Sequence, residues 1–240
     1  IANGIVGTGY NDTFFATQGN DKYEGGGGTV MVSGVKAWSN TGGLDIVDYK
    51  LADNTSLTID LSNTGAQNTG FGTATFRNIE GLAGSNGADT FTDNAADNQF
   101  EGRGGNDTFN LTGGGRDTLL YKLLSASDAT GGNGADTVNG FEVGTVEATP
   151  NADRIDLKEL LVGYTADADG AARYINGVAV IDSGDAIGNY LSVTVSGGNT
   201  TLSIDRDGSG GAYSSTTLIT LNGVTTDLAT LLANHQLVLV

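Results

Sequence analysis

Along residues 83–140, a large apolar side chain follows an acidic or amide residue at a fixed interval of two. Phe91 follows Asp89, Phe100 follows Asn98, Phe109 follows Asp107, Leu119 follows Asp117 and Val138 follows Asp136. The N-terminal end keeps the same spacing, with Ile5 after Asn3, Phe14 after Asp12 and Tyr23 after Asp21. Most of these pairs recur every nine residues, although Asp117 is ten beyond Asp107 and Asp136 a further nineteen. The row Gly25–Val32 keeps its glycines but carries Val30 in the acidic slot, and Asp45 with Val47 resumes the register after an insertion around Trp38. A fixed period marks stacked repeats. Roughly six residues of each row form a turn and about three a short strand whose large residue points inward. Successive rows fall on alternate sides, so rows eighteen residues apart stack.

Residues 49–82 interrupt the period. Ser56–Leu61 and Thr73–Phe76 alternate as strands, joined as a hairpin by the loop Gly65–Gly72. Glu80 and Leu82 then return to the acidic and core slots. Beyond Asp136, Asp156–Leu161 reads as a short helix with Asp156 as N-cap, Glu159 completing a capping box and Gly163 as the stop. Residues 172–223 read as hairpins, one turning at Asn176-Gly177 and another at Gly197-Gly198, with Thr217–Leu221 as a further strand. Leu228–Ala233 reads as a second short helix capped by Thr226 or Asp227, and Leu237–Val240 ends apolar.

Composition sharpens the reading. Acidic residues outnumber basic ones 28 to 11, a net charge of −17, and 39 of 240 residues are glycine. Such a chain repels a phosphate backbone and an anionic membrane surface. No apolar run approaches about 18 residues, so no membrane insertion is expected. Cysteine is absent, which excludes disulfides, zinc–thiolate sites and a cysteine nucleophile. The chain opens at Ile1 without a signal peptide, as expected of a fragment. His235 is the single histidine, and neither G-x-S-x-G nor H-E-x-x-H occurs. The sequence therefore reads as a non-enzyme. What it favours is a cation: glycine turns with inward carbonyls and an adjacent carboxylate make an oxygen cage suited to Ca²⁺, which takes about 6–8 such ligands.

The rows Gly102–Asn110 and Gly131–Val138 match the nonapeptide G-G-x-G-x-D-x-U-x, so the chain resembles an RTX parallel β-roll. The resemblance implies several Ca²⁺ ions, roughly five to eight from the number of rows. Candidate ligands are the side chains of Asp12, Asp21, Asp45, Asp89, Asn98, Asp107, Asp117 and Asp136, with the turn residues Gly7, Gly9, Gly84, Asn86, Gly102, Gly104, Gly113, Gly131 and Asn133. The expected pairs are Asp89 with Asp107, Asn98 with Asp117, Asp117 with Asp136, Asp21 with Asn3 and Asp12 with Val30, and Asp153 reads as a surface charge. Tyr10 stands where the pattern wants glycine. The loop Asp205–Gly210 resembles half an EF-hand. Its twelfth position is Thr216 rather than Glu, so Asp205 and Asp207 remain candidates only for an extra Ca²⁺ turn.

The segments Asp128–Gly132, Asn151–Leu161, Leu202–Gly211 and Asp227–Leu239 are similar to the C-terminal target region of proteins exported by type I secretion, a common ending of large bacterial RTX adhesins and biofilm proteins. The expected architecture is all-β: a right-handed parallel β-roll split by a β-hairpin insertion, then a β-rich C-terminal cap with two short helices. Residues 1–48 form the first roll segment, 49–82 the insertion, 83–140 the second roll segment, and 141–240 the cap and secretion target region. The resemblance implies a secreted, monomeric calcium-binding module at the extracellular or bacterial cell surface. Its partners would be calcium ions, the type I exporter through the C-terminal region, and a host-cell or matrix ligand. Two alternatives stand beside it: a glycan- or peptide-binding adhesive tip using the insertion, and the RTX tail of a secreted enzyme.

Overall fold

A computed structural model describes residues 2–26, 29–32, 35–38, 43–162, 164, 173–175, 178–180, 187–208 and 210–240. Most of the Asp-x-apolar rows become short parallel strands stacked on two sides of a roll, while those of Asn3 and Asp21 lie in longer strands of a separate N-terminal sheet. The first sheet runs Thr13–Phe15, Ile46–Asp48, Gly81–Ala83, Gln99–Glu101, Thr118–Leu120, Arg154–Asp156 and Leu237–Val238, all parallel. The second runs Thr58–Asp60, Thr90–Thr92, Thr108–Asn110, Asp136–Asn139 and Thr216–Asn222 in parallel, then adds Asn199–Ile204 and Leu191–Ser196 antiparallel. A third, N-terminal sheet pairs Ala2–Val6, Gly19–Glu24 and Gly72–Arg77 in parallel, with Gln67–Asn68 at its edge.

The registers explain the core. Phe14, Val47, Leu82, Phe100, Leu119, Ile155 and Leu237 are direct neighbours along the first sheet. Ile59, Phe91, Phe109, Val138 and Leu221 are direct neighbours along the second. The two columns interlock where Phe100 meets Phe91 and Phe109, with ring centroids 6.0 and 6.1 Å apart. Each such aromatic pair is worth about 0.5–1.5 kcal/mol beyond area burial. One hydrophobic core runs from Phe14 to Leu237, so residues 141–240 share it with the repeats.

Several local expectations yield to this stacking. Ser56–Leu61 and Thr73–Phe76 do not form a hairpin together. Thr58–Asp60 joins the second sheet, Gly72–Arg77 joins the N-terminal sheet, and the antiparallel pair is Gln67–Asn68 with Thr73–Ala74. Asp156–Leu161 is not a helix. Ile155 occupies the core register between Leu119 and Leu237, and the parallel ladder satisfies the backbone that a capping box would otherwise have organised. The two short helices are Ile187–Tyr190 and Leu228–Ala233, the latter capped by Asp227 through its bond from the Thr230 amide. Val30 belongs to an antiparallel hairpin, Thr29–Val32 with Val35–Trp38, rather than to a roll row. The Asn176-Gly177 turn lies outside the described residues, while its flanking strands pair as expected. Among the described residues no helix is long and apolar enough to cross a membrane.

A polar ladder crosses the second sheet two residues beyond the aligned threonines Thr90, Thr108, Thr137 and Thr220. Asn222 Nδ2 donates to Asn139 Oδ1 and Asn139 Nδ2 to Asn110 Oδ1, both at 2.9 Å, and Asn110 Nδ2 donates to Thr92 Oγ1 at 3.2 Å. Asn139→Ala removes two of these bonds, and a loss of about 1–2 kcal/mol is expected in chemical denaturation. An unchanged midpoint would show the ladder to be energetically idle.

Candidate metal centre

One bond recurs between stacked rows: the backbone amide at Asp12, Asp45, Asp89, Asn98, Asp107 and Asp117 donates to the carboxylate of the row stacked after it. On the second side, Leu57, Asp89 and Asp107 amides donate to Asp89, Asp107 and Asp136 Oδ1, each at 2.8 Å. On the first side, the Asp12 amide donates to Asp45 Oδ1 at 2.8 Å and the Asp45 amide to Glu80 Oε2 at 3.1 Å. Asn98 Nδ2 donates to the Glu80 carbonyl at 3.0 Å, the Asn98 amide to Asp117 Oδ1 at 2.8 Å, and the Asp117 amide to Asp153 Oδ1 at 2.9 Å. The same Asp-x-apolar spacing thus sets both the core column and a carboxylate column at its flank.

These carboxylates are crowded and dry. Asp45, Asp89, Asp107 and Asp117 are each 1% exposed, and Asp136 and Asp153 2%. Burial disfavours the charged form, and stacked carboxylates repel one another. Burial, with Asp136 next in weight, pushes the Asp107 carboxyl from 3.8 up to about 8. Burial raises Asp117 to about 8, against the relief of the Asn98 amide. It raises Asp136 and Asp153 to about 7, and Asp89, which accepts the Ser85 and Leu57 amides, to about 6. Asp45, Glu80 and Asp93 are also held above their usual values by burial.

The turns are shaped around these oxygens. A Cβ on Gly84 would overlap Asp89 Oδ2, and one on Gly102 would overlap Asp107 Oδ2, each glycine lying five residues before its Asp. Gly105, at φ +111°, brings its backbone against the Gly87 carbonyl of the stacked turn, a conformation and an approach that a side chain would forbid. Asp45 Oδ2 and Asp107 Oδ2 are buried and accept no hydrogen bond. An unpartnered buried carboxylate oxygen is costly, and a hard cation among backbone carbonyls answers it. The donor set is oxygen only, which fits Ca²⁺. Among the described residues no three His, Cys, Asp or Glu side chains converge, so backbone carbonyls must complete any cage.

The stacking confirms some expected pairs and corrects others. Asp89 stacks with Asp107, Asn98 with Asp117, and Asp21 lies beside Asn3. Asp117 stacks on Asp153 and Asp136 on Asp107, because the nineteen residues from Asp117 to Asp136 make one half-turn with a long loop rather than a full turn. Asp12 stacks on Asp45, not Val30. Asp153 is a buried member of the column, not a surface charge, and its Oδ2 accepts the Glu142 amide at 2.8 Å. Its position two before Ile155 is the sequence signal that marks it. Buried Gln236 closes that end, donating to the carbonyls of Asp153 and Glu142 and accepting from the Gly144 amide.

The remaining candidates divide by their engagements. Asp21 turns toward the core, accepting from Thr17 Oγ1 and Tyr23 OH. Gly7 lies against Asp12 Oδ2, which already accepts the Thr8 amide, and Gly9 and Gly104 sit in open or loosely packed turns. The Asn86 amide donates to the Asp53 carbonyl, and the Gly113 amide to both oxygens of Asp93, a buried acid that the repeat reading missed. The Gly131 carbonyl accepts the Leu124 and Ser125 amides, and Asn133 Nδ2 donates to the Lys122 and Thr130 carbonyls, so both tie the loop 122–135. Asp207 spends its carboxylate on the Ala212 and Tyr213 amides, while Asp205 Oδ1 is buried without a partner.

Residues 3–30 and 83–119 match the family model of the RTX calcium-binding nonapeptide repeat, four copies. No curated protein matches the chain at a significant level. The carboxylate column extends past the matched segments through Asp136 and Asp153.

Proposed function

We propose that these RTX calcium-binding repeats make the chain a calcium-folded module at the C-terminal end of a large adhesin exported by type I secretion. The observation that carries the reading is the column of buried carboxylates with unpartnered oxygens at Asp45 and Asp107, in a chain of net charge −17. Without cations, that charge opposes the stacking of rows and favours an extended, exportable chain. Bound calcium supplies positive charge and oxygen coordination to the turns, so its binding free energy becomes folding free energy.

The chain's own residues set where that coupling ends. Thr216–Asn222 and Leu237–Val238 add the last parallel strands to the two sheets, so the column at Asp136 and Asp153 is covered only once the C-terminal region has emerged. Folding outside the cell then opposes backward movement through the exporter. The module acts as a structural, monomeric, non-catalytic unit whose buried acids serve the stacked amides and the calcium ions. A calcium titration followed by circular dichroism tests the reading. The β signal is expected to develop between about 0.1 and 10 mM calcium, bracketing the extracellular affinity class, and not with magnesium at equal concentration. A chain equally folded in chelator overturns it.

A further inference from the structure

Arg103 occupies a turn position where the nonapeptide has glycine, and it adopts φ +69°, a left-handed conformation that disfavours a side chain. Its guanidinium folds back over the stacked turn. Nη1 donates to the Gly84 carbonyl at 2.8 Å and pairs with Asp48 Oδ1 at 2.8 Å, and Nε pairs with Glu101 Oε1 at 3.3 Å. Lys122 Nζ meets the other oxygen of Glu101 at 2.7 Å. The side chains of Arg103, Asp48 and Glu101 are only 16%, 13% and 8% exposed.

The backbone amide matters as much as the side chain. In three rows the amide four residues before the slot donates to it, Thr8 to Asp12, Ser85 to Asp89 and Asn94 to Asn98, whereas in the Asp117 and Asp136 rows the amides of Gly113 and Gly132 go to Asp93 and Asp128. Arg103 is the equivalent residue for Asp107, and Asp107 Oδ2 has no hydrogen-bond partner at all. The left-handed residue therefore does two things at once. It places a positive charge on a turn carbonyl of the row before, and it leaves a carboxylate oxygen free in its own row.

We infer that Arg103 is a built-in cation that takes the seat of one calcium ion at the Gly84 turn. The guanidinium satisfies the Gly84 carbonyl and neutralises Asp48 and Glu101, the tasks a metal performs in a turn whose oxygens are left bare. This part of the roll is held without metal, and the metal demand shifts to the Asp107 oxygen. The inference rests on the calcium reading of the repeats and deepens it.

The test is calcium stoichiometry by equilibrium dialysis with metal analysis, on the full chain and two variants. Arg103→Gly suits φ +69° and uncovers the Gly84 carbonyl, so it is expected to bind one calcium more than the unsubstituted chain and to fold at a several-fold higher calcium midpoint. Arg103→Lys keeps the charge and is expected to keep the original count. An unchanged count in Arg103→Gly, a gain in Arg103→Lys, or failure of Arg103→Gly to fold in saturating calcium each overturns the inference. An unsubstituted chain that binds no calcium sinks the repeat reading itself, a result distinct from these.

Discussion

In chelator, stability is expected to fall as pH rises from about 4 to about 8. Asp107 and Asp117 titrate at about 8 in the folded chain, Asp136 and Asp153 at about 7 and Asp89 at about 6, against 3.8 when unfolded. Between those values the folded state holds more protons than the unfolded one, so raising pH favours unfolding. The contribution is fully present below the unfolded value and is lost progressively through 6 to 8. Its cause is burial first, with repulsion between stacked carboxylates adding to it at Asp107. Saturating calcium is expected to flatten or reverse the slope, because coordination requires the deprotonated carboxylate. Urea denaturation at a series of pH values, in chelator and in calcium, checks both limbs. Metal-free stability that rises with pH over this range would mean the carboxylates are not stacked as described.

Asp107→Ala is the substitution with the largest expected effect at the centre. It leaves the Asp89 amide, which donates to Asp107 Oδ1, without its acceptor in a buried site, at about 1–3 kcal/mol. It also removes the unpartnered Oδ2 and so weakens the response to calcium. Asp107→Asn keeps an acceptor for the amide but lacks the charge. It is therefore expected to recover stability in calcium-free acid and not to recover the calcium midpoint. Asp12→Ala should cost less. Asp12 directly precedes the edge strand Thr13–Phe15 and its Oδ2 serves only the local Thr8 group, so about 1 kcal/mol or less is expected. Denaturation in saturating calcium ranks the three, and equal losses for Asp107→Ala and Asp12→Ala would refute the ranking.

Why these positions were readable is a matter of distance along the chain. An acid two residues before a large apolar side chain is a local fact: the period-two alternation turns both inward, the apolar residue within the strand and the acid at the turn just before it. Hence Glu80 with Leu82 is recognisable after a long interruption, and Glu80 does accept the Asp45 amide. Asp153 with Ile155 carries the same signal and was obscured by a capping-box pattern directly after it. That pattern describes what the segment would do alone. In the roll its start is drawn into the first sheet, since Ile155 donates to the Gln236 carbonyl and Leu157 to that of Val238.

Arg103 shows the opposite case. In the chain it stands inside the row Gly102–Asn110, and no neighbour in sequence marks a role for it. Its role arises because Asp48, Glu101 and Gly84 converge on one guanidinium, and Asp48 lies fifty-five residues earlier.

The sequence by itself determined the unit: a short strand with its inward residue, a glycine-shaped turn and an acid beside it, together with the charge that makes a cation necessary. Only the tertiary structure decided which units meet. Loops of unequal length separate the rows, from eighteen residues between Asp89 and Asp107 to thirty-six between Asp117 and Asp153. Loop closure changes little in free energy with length. Loop length therefore does not select the partner; the alternation of sides and the fit of the core columns do.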